Sequence, residues 1–426
     1  MKKRSTYFLT TVLMLVTIIS YSQQSKIQYF RGNDKTGINV FETPKEDSIE
    51  FDGLKVRIGG AFAMQYQGLD HENAADNLVK LISNFNLPSA NFDIDVQIYD
   101  GIRMHLRTYL SSRHHTETYV KGGYIQIDKL DFIKKDFAAE LMKRLTVRIG
   151  QMENNYGDAH FRRSDNGHAL YNPFVGNYIM DSFTTEIGGE VYYQDNGWLA
   201  MVSLTNGRLN QSVADTVTKP AVIVKVGYDK QLNDDLRLRL TASMYAVKNT
   251  SSTYLYGGDR AGSRYYKVMD VQAIPPATQS TNDFSGRINP ALKTDMTSIM
   301  VNPFVKFKGL EFFGVYETTF GRDDVKDAAF TGNRSWTQLA GELIYRFGKT
   351  ESFYVGGRYN TVSGQLPGVE TDKVTVSRVN FGGGWFLTKN ILAKVEYMSQ
   401  SYKDYTSAQF EDGKFSGLMI EAVIAF

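Results

Sequence analysis

The sequence of 426 residues contains no cysteine, so disulfide bonds cannot stabilise it. An exported chain of this kind depends on hydrogen bonding and packing instead. Proline is also scarce, with 9 residues, whereas there are 37 glycines, 26 tyrosines and 26 phenylalanines. Few prolines and many aromatic residues are typical of a large β-sheet.

Long apolar runs are missing after the first 22 residues. Residues 1–22 begin with Lys2, Lys3 and Arg4, continue with an apolar stretch and end in small residues. This pattern predicts a secretory signal peptide that is cleaved near Ser22. Beyond it, no stretch reaches the eighteen apolar residues that a helical membrane span needs. A soluble all-β protein and a membrane β-barrel remain possible.

The chain also lacks a surplus of charge of either sign. Its 48 Lys and Arg residues face 46 Asp and Glu residues, and removal of three basic residues with the signal peptide leaves 45 against 46. This balance gives no indication of a nucleic-acid partner. The pair His114-His115 and the loop residues Asp70, Asn73, Asp76 and Asn77 do not have the spacing of a metal site. We therefore predict neither a metal nor another cofactor.

What the chain does contain is a repeated alternation of apolar and polar residues, which places the two kinds on opposite faces of a strand. Most of the alternating segments have the nine or more residues that a tilted strand needs to cross a bilayer. The sequence has sixteen such segments, at 54–66, 91–99, 102–111, 121–129, 143–152, 185–194, 197–206, 220–230, 235–247, 297–308, 310–320, 335–347, 352–361, 375–387, 391–401 and 415–426.

Long and short connections alternate between these segments. Asp100-Gly101 and Asn196-Gly197 are signals for tight turns, whereas 153–184 and 248–296 are long. Short periplasmic turns and long outer loops are typical of a transmembrane barrel. We therefore predict an all-β, 16-stranded antiparallel transmembrane β-barrel over residues 53–426. Residues 23–52, which are polar and without pattern, are predicted to be a periplasmic lead-in.

The chain ends on an alternating strand whose last residue is Phe426. This ending resembles that of bacterial outer-membrane barrels. It implies the outer membrane as the location and membrane lipid as the surroundings of the wall.

The face that alternation turns inward is rich in charge. Acidic residues on this face are Asp93, Asp95, Glu186, Glu190, Glu317, Glu342, Glu396 and Glu421. Basic residues on the same face include Arg57, Arg103, His105, Arg107, Arg144, Arg148, Lys225, Arg237, Arg239, Arg346, Arg358, Arg378 and Lys394. A water-filled barrel accepts such a face, whereas a soluble apolar core does not.

Residues 145–157 read Leu-Thr-Val-Arg-Ile-Gly-Gln-Met-Glu-Asn-Asn-Tyr-Gly. A strand that ends in Arg-x-Gly and is followed by an aromatic-Gly pair resembles the phosphate-selective porin O and P family. The resemblance implies a homotrimer of sixteen-stranded barrels that carries anions along basic residues of the lumen, with Arg148 among them. It also implies that the third outer loop, 153–184, folds inward and narrows the pore.

This interpretation gives two sets of candidate residues. The inward loop would bring acids towards a basic wall, and opposed charges across a narrow opening would create a transverse field. The candidate pore-lining or anion-binding residues are Arg57, Arg103, Arg107, Arg148, Arg162, Arg163, Arg237 and Arg239. The candidate constriction-loop acids are Glu153, Asp158, Asp165 and Asp181.

The leading functional hypothesis is a passive porin for small hydrophilic solutes, with a preference for anions such as phosphate. One alternative is a binding or scaffold barrel, because the loop 248–296 contains Tyr254, Tyr256, Tyr265, Tyr266, Arg260 and Arg264, which suit stacking on flat ligands. The other is an outer-membrane enzyme with His105 as base. We do not expect an enzyme, because the sequence offers His105 no carboxylate or nucleophile in evident reach.

Overall fold

The computed structural model describes residues 24–86, 89–111, 118–163, 167–209, 212–213, 219–257, 264–272, 285–323, 332–368 and 372–426. These residues form one closed antiparallel barrel with sixteen wall strands. The predicted strand number and fold class are therefore confirmed. The predicted signal peptide lies outside the described residues.

Most wall strands are long, and short turns alternate with long loops. The second wall strand has two segments, and both pair with the first strand. The strands are β1 Lys55–Glu72, β2 Asn84–Asn86 and Ser89–Tyr99, β3 Ile102–Ser111, β4 Thr118–Ile127, β5 Leu145–Glu153, β6 Thr185–Asp195, β7 Trp198–Thr205, β8 Ala221–Gln231, β9 Leu236–Val247, β10 Asp295–Phe307, β11 Leu310–Arg322, β12 Arg334–Phe347, β13 Phe353–Gln365, β14 Lys373–Thr388, β15 Ile391–Lys403 and β16 Lys414–Ala425.

Helical structure in the described residues is confined to short segments. They are α1 (Ala139–Met142), α2 (Ala159–Arg163) and the 3-10 helices Lys35–Gly37 and Ala169–Tyr171. None of these helices has the length and apolar character to cross a membrane.

The barrel closes where its first and last strands meet. β1 and β16 pair antiparallel from Ala61 opposite Ala425 to Glu72 opposite Lys414. Closure satisfies backbone groups that lipid could not.

The wall has apolar side chains outside and polar side chains inside. Ile149, Leu339 and Trp385 are exposed on the outer face, where they meet lipid. All eight acids that alternation placed inward are buried: Asp93, Asp95, Glu186, Glu190, Glu317, Glu342, Glu396 and Glu421. Arg144 differs, because it precedes β5 and its side chain is exposed.

Three segments fill much of the lumen. They are the N-terminal segment (residues 24–52), loop L3 (residues 154–184) between β5 and β6, and the described parts of loop L5 (residues 248–294) between β9 and β10. Tyr178 of L3 donates to Glu342 on β12 at 2.6 Å. Tyr256 of L5 donates to Glu317 on β11 at 2.7 Å. The inward path of the third outer loop is therefore confirmed.

The N-terminal segment lies across the end of the barrel that carries the short turns. The backbone N–H of Gln28 donates to Gln97 at 2.8 Å, and Lys45 pairs with Asp128 at 2.7 Å. The backbone N–H of Lys35 donates to the carbonyl oxygen of Lys389 at 2.8 Å. The sequence predicted a periplasmic lead-in for residues 23–52. The polar side chains of this segment find partners on the inner wall.

Candidate functional site

L3 is attached to the wall at β8 and β9, two to three strands along the barrel from its own strand β6. Asp158, just before α2, accepts hydrogen bonds from Arg239 Nε and Nη2 on β9, at 2.8 and 2.9 Å. Lys225 Nζ on β8 lies 2.6 Å from the same carboxylate. Glu42 of the N-terminal segment completes the group, 2.7 Å from Arg239 and 3.0 Å from Lys225. We call these four residues the charge cluster.

The charge cluster holds two chain segments on one patch of wall. Burial alone would raise the pKa of Asp158, but the charges of Arg239 and Lys225 outweigh burial and hold that pKa well below its usual range. The pKa of Glu42 is lowered in the same way, against burial, by Arg239 and Lys225. Both carboxylates are therefore ionised at neutral pH.

A second attachment of L3 involves Glu342 on β12. Tyr178 and Arg358 donate to its carboxylate at 2.6 and 2.7 Å, and Arg162 of α2 lies 3.3 Å away. Arg162 also donates to Asn39 of the N-terminal segment at 2.6 Å. Arg162 therefore ties L3 to the N-terminal segment and to the wall.

A third attachment is shared by L3 and L5. The backbone N–H groups of Val175 and Gly176 donate to Glu396 on β15 at 2.8 and 3.1 Å. Tyr265 of L5 donates to the other carboxylate oxygen at 2.5 Å. Tyr256, Tyr265 and Tyr266 are all buried. These three tyrosines thus pack in the lumen and form no outward binding surface.

Because L3 is attached to the far wall, a cavity of about 180 Å³ remains between L3 and its own side of the barrel. Its lining contains five Lys and Arg side chains, three histidines and three acids, a surplus of two positive charges with neutral histidines. We call it the basic cavity. Its charged and histidine lining consists of Arg31, Asp93, Asp95, Arg103, His105, Arg107, Lys121, Arg148, Glu153, His160 and His168.

Arg107 and Asp93 form a fixed pair in the basic cavity. Arg107 Nε and Nη2 donate to the two oxygens of Asp93 at 2.8 and 3.0 Å. His168 of L3 lies 2.9 Å from Arg107 Nη2 and 3.3 Å from Asp93. A bidentate pair of this kind holds the guanidinium in one orientation.

Arg103 and Arg148 converge on a neutral group. Both donate to Gln126 Oε1, at 2.7 and 2.8 Å. The ring of Tyr124 lies 5.8 Å from Arg103 and 5.6 Å from Arg148, measured from each guanidinium carbon to the ring centre. Arg148 also donates to the hydroxyl of Tyr192 at 3.4 Å. Its charge is therefore supported by an amide and by aromatic rings, and a solute anion can approach it without displacing a carboxylate.

Gly150 lets β4 and β5 approach closely enough to place Tyr124. Its φ angle is 142°, and a Cβ atom there would lie 2.3 Å from the carbonyl oxygen of Gly123. Only glycine fits this position without moving the backbone. In the Arg148-x-Gly150 pattern, Arg148 lines the cavity. Gly150 allows Tyr124, the aromatic residue beside Arg148, to pack in its place.

Lys121 belongs to the cavity, and alternation in the sequence did not place it there. Thr108 pairs with Val120, but Arg107 pairs with Gly122, so Lys121 is an extra residue in β4. Such a bulge re-aims side chains. Lys121 is buried, with its ammonium group 5.1 Å from the ring centre of Phe183 in L3.

The candidate arginines separate into two groups. Arg103, Arg107 and Arg148 lie together in the basic cavity. The others do not join them: Arg57 packs over the ring of Phe30 at 4.6 Å, Arg237 pairs with Asp229 at 2.7 Å, and Arg162 and Arg239 hold L3. Of Arg163, only the backbone is described.

The candidate constriction-loop acids do not face the basic wall as a group. Glu153 lines the basic cavity. Asp158 belongs to the charge cluster on β8 and β9, and Asp181 pairs with Arg287 of L5 at 3.2 Å. Asp165, Arg260 and the pair His114-His115 lie outside the described residues.

His105 has a carboxylate partner that the sequence did not suggest. Its Nδ1 lies 2.8 Å from Asp95 Oδ1, in a cross-strand pair between β2 and β3. The sequence argument that His105 has no carboxylate in reach was therefore wrong. Tyr124 packs against the ring, with centroids 5.2 Å apart. In this setting His105 forms part of the cavity wall.

Solved structures of outer-membrane proteins resemble this barrel. An anion-selective porin from Comamonas acidovorans has a TM-score of 0.54 and 12% identity, over 88% of this chain and 100% of that chain. OmpT, an outer membrane protein of Vibrio cholerae, has a TM-score of 0.51 and 10% identity, over 89% of this chain and 99% of that chain. This chain has a porin-type barrel fold. At these identities the likeness concerns the fold alone.

The sequence itself matches no family model and no curated protein. The resemblance to the phosphate-selective porin O and P family is therefore supported for the barrel architecture and not for that family in particular.

Proposed function

We propose that this protein is a bacterial outer-membrane porin through which small hydrophilic solutes diffuse, with a preference for anions. The observation that carries the proposal is the basic cavity, a polar space beside an inward loop with a surplus of two positive charges. The proposal includes export by the signal peptide and cleavage near Ser22. Following the family resemblance, it also includes a homotrimer in which each barrel has its own pore.

The proposed anion preference rests on Arg103 and Arg148. Their shared acceptor, Gln126 Oε1, is neutral and compensates neither charge, although Arg103 Nη1 also lies 3.8 Å from Asp95 Oδ1. The Nε of Arg103 is buried and has no hydrogen-bond partner. Guanidinium groups bind carboxylate and phosphate through paired hydrogen bonds. An anion that enters the cavity therefore exchanges water for fixed donors, whereas a cation meets repulsion.

Solutes can reach the basic cavity from the short-turn end of the barrel. A vestibule of about 1210 Å³ opens there, and it is lined by Phe41, Glu42 and Arg239 among others. Phe41 also lines the basic cavity. The N-terminal segment thus lies between the two spaces and limits the passage to small solutes.

The test is single-channel recording in a planar bilayer under a potassium chloride gradient. We expect a small conductance and a reversal potential displaced towards the chloride value. Added phosphate should reduce the chloride current if phosphate shares the site. Protein that is folded and inserted but forms no ion-conducting channel would refute the porin function. A reversal potential on the potassium side would refute the anion preference alone.

Arg148 variants give the residue-level test. Arg148→Gln removes one positive charge without leaving a bonded carboxylate unpaired, so the reversal potential should move towards zero. Arg148→Lys keeps the charge and should stay close to the unmodified protein. Lys308→Gln, at an exposed turn, is the matched control for charge removal away from the cavity. Equal reversal potentials in all four proteins would exclude Arg148 from the conducting path.

A further inference from the structure

The connection between β4 and β5 carries exposed apolar side chains at the short-turn end of the barrel. Phe132, Ile133 and Leu141 are 50%, 58% and 54% exposed. The connection spans residues 128–144, whereas the next one at this end spans only residues 196–197. Exposed apolar groups in water are unfavourable, so a cluster of this kind indicates a surface that is covered in the functional state.

The barrel itself covers only the other side of this connection. Met142 is buried, and Ala139 and the 45% exposed Phe137 line the vestibule at the short-turn end. Phe132, Ile133 and Leu141 do not belong to that lining. The exposed patch therefore faces away from the solute path.

The patch continues the lipid-facing wall. In β5, Thr146 and Arg148 face the lumen, and Leu145, Val147 and Ile149 alternate with them on the outer face. Ile149 is 54% exposed on that face. Leu141 lies in α1, four residues before Leu145, where β5 begins. The patch thus lies where the lipid-facing wall meets the headgroup layer.

Basic side chains accompany the apolar patch. Lys134 and Lys135 are exposed beside Ile133. Residues 130–143 contain three lysines and three Asp or Glu residues, and two of the lysines, Lys134 and Lys135, directly follow the apolar pair Phe132-Ile133. Apolar side chains next to lysines are typical of segments that lie in the membrane interface, where the apolar groups enter the acyl boundary and the lysines meet anionic headgroups.

We propose that residues 130–143 form an interfacial anchor on the inner leaflet of the outer membrane. Phe132, Ile133 and Leu141 insert between lipids, and Lys134 and Lys135 bind the headgroups of anionic phospholipids. The anchor is a second interaction surface, separate from the basic cavity, and it is independent of the solute that the barrel conducts.

A single introduced thiol tests the insertion, because the chain has no cysteine of its own. Ile133→Cys is labelled with an environment-sensitive fluorophore, and the full-length mature protein is folded into lipid vesicles. We expect blue-shifted emission, strong quenching by lipids with brominated acyl chains and weak quenching by aqueous iodide. Lys349→Cys, in the exposed turn between β12 and β13, is the control and should show the reverse.

Two results with the same labels would contradict the insertion of Ile133 into lipid. Iodide quenching of the Ile133→Cys label as strong as that of the Lys349→Cys label would overturn the proposal. Protection that appears only as the protein-to-lipid ratio rises would assign the patch to contact with a second copy, and would overturn it as well. Heat-dependent mobility in detergent gels confirms that each variant is folded.

Headgroup recognition is tested by brominated phosphatidylglycerol against brominated phosphatidylcholine. In the Ile133→Cys protein, we expect phosphatidylglycerol to quench several-fold more strongly at equal mole fraction. Adding Lys134→Glu and Lys135→Glu should abolish this preference, whereas Lys134→Arg and Lys135→Arg should retain it. Equal quenching by both lipids with the native lysines would refute the anionic-lipid part of the proposal.

Discussion

Asp158 in L3 and Arg239 on β9 meet through two hydrogen bonds of 2.8 and 2.9 Å, although 81 residues separate them in the chain. Lys225 and Glu42 complete an alternating set of charges around them. The Asp158 carboxylate is one of three that hold L3 across the lumen, with Glu342 and Glu396, and it is a direct target for mutation.

Asp158→Asn should destabilise the protein strongly. The substitution leaves Arg239 and Lys225 with Glu42 as the remaining acid of the charge cluster, and breaking a buried ion pair in this way costs roughly 3 kcal/mol. Urea unfolding in lipid vesicles measures the change. Asp195→Asn removes a half-buried partner that lies 3.5 Å from the exposed Arg144 and should cost less than about 1 kcal/mol. Equal losses in the two variants would contradict the anchoring role of Asp158.

The charge cluster should also give the protein a specific response to acid. The folded-state pKa of Asp158 is depressed by Arg239 and Lys225 in spite of burial. Its contribution to stability is therefore complete above the unfolded pKa of about 4 and is lost as the pH falls through the lower folded pKa. The unfolding midpoint should decrease below about pH 4 in the native protein, and Asp158→Asn should reduce that slope. An unchanged slope in the variant would assign the acid response to other carboxylates.

Deletion of residues 24–46 should raise the conductance several-fold. It removes Phe41, which lies between the vestibule and the basic cavity, and Glu42, which neutralises part of Lys225 and Arg239. A wider and more basic passage should conduct more and favour anions further. The measurement is single-channel recording of the deletion variant beside the protein that keeps residues 24–46.

A cross-link separates removal of the N-terminal segment from a general loosening of the barrel. Gln28 and Gln97 exchange hydrogen bonds of 2.8 and 3.0 Å, so a Gln28→Cys and Gln97→Cys pair is suited to a short thiol cross-linker. The cross-linked protein should keep the native conductance. Conductance that stays unchanged on deletion would show that the segment does not limit the passage.

Gly150→Ala should disrupt the basic cavity because it forces apart the backbones of β4 and β5. The new Cβ atom would lie 2.3 Å from the carbonyl oxygen of Gly123, in a backbone conformation that alanine rarely adopts. We expect a loss of at least roughly 2 kcal/mol in the free energy of unfolding. Gly189, in the neighbouring strand β6, has no such contact, the nearest atom being 3.7 Å away, and Gly189→Ala is the matched control. A loss in the control as large as that in Gly150→Ala would contradict the steric explanation.

Much of the wall could be predicted from the sequence, because a strand in lipid has only two faces. Alternation placed Asp93, Asp95 and Glu190 in the lumen, and all three are buried there. It failed at Lys121, where an extra residue in β4 reverses the phase of the pattern. A bulge has no periodic signature of its own, so one sequence could not reveal it.

The contacts of the inward segments could not be predicted in the same way. Asp158 pairs with Arg239 rather than with the arginines of β3 and β5, and Glu42 enters the same cluster from a segment that looked like a simple lead-in. Loop side chains follow no period, and their partners are set by the three-dimensional path of the chain. The sequence showed which charges were available and gave no indication of which would meet.

The charge cluster also bears on how the barrel assembles. Glu42, Asp158 and the hairpin that carries Lys225 and Arg239 are three distant parts of the chain, and contacts of such long sequence separation form slowly because the connecting chain must first be ordered. The N-terminal segment and L3 cannot settle until β8 and β9 are in place. We therefore expect the interior to rearrange late, after the wall has closed. A newly inserted barrel should pass through a more open intermediate before the mature passage is established.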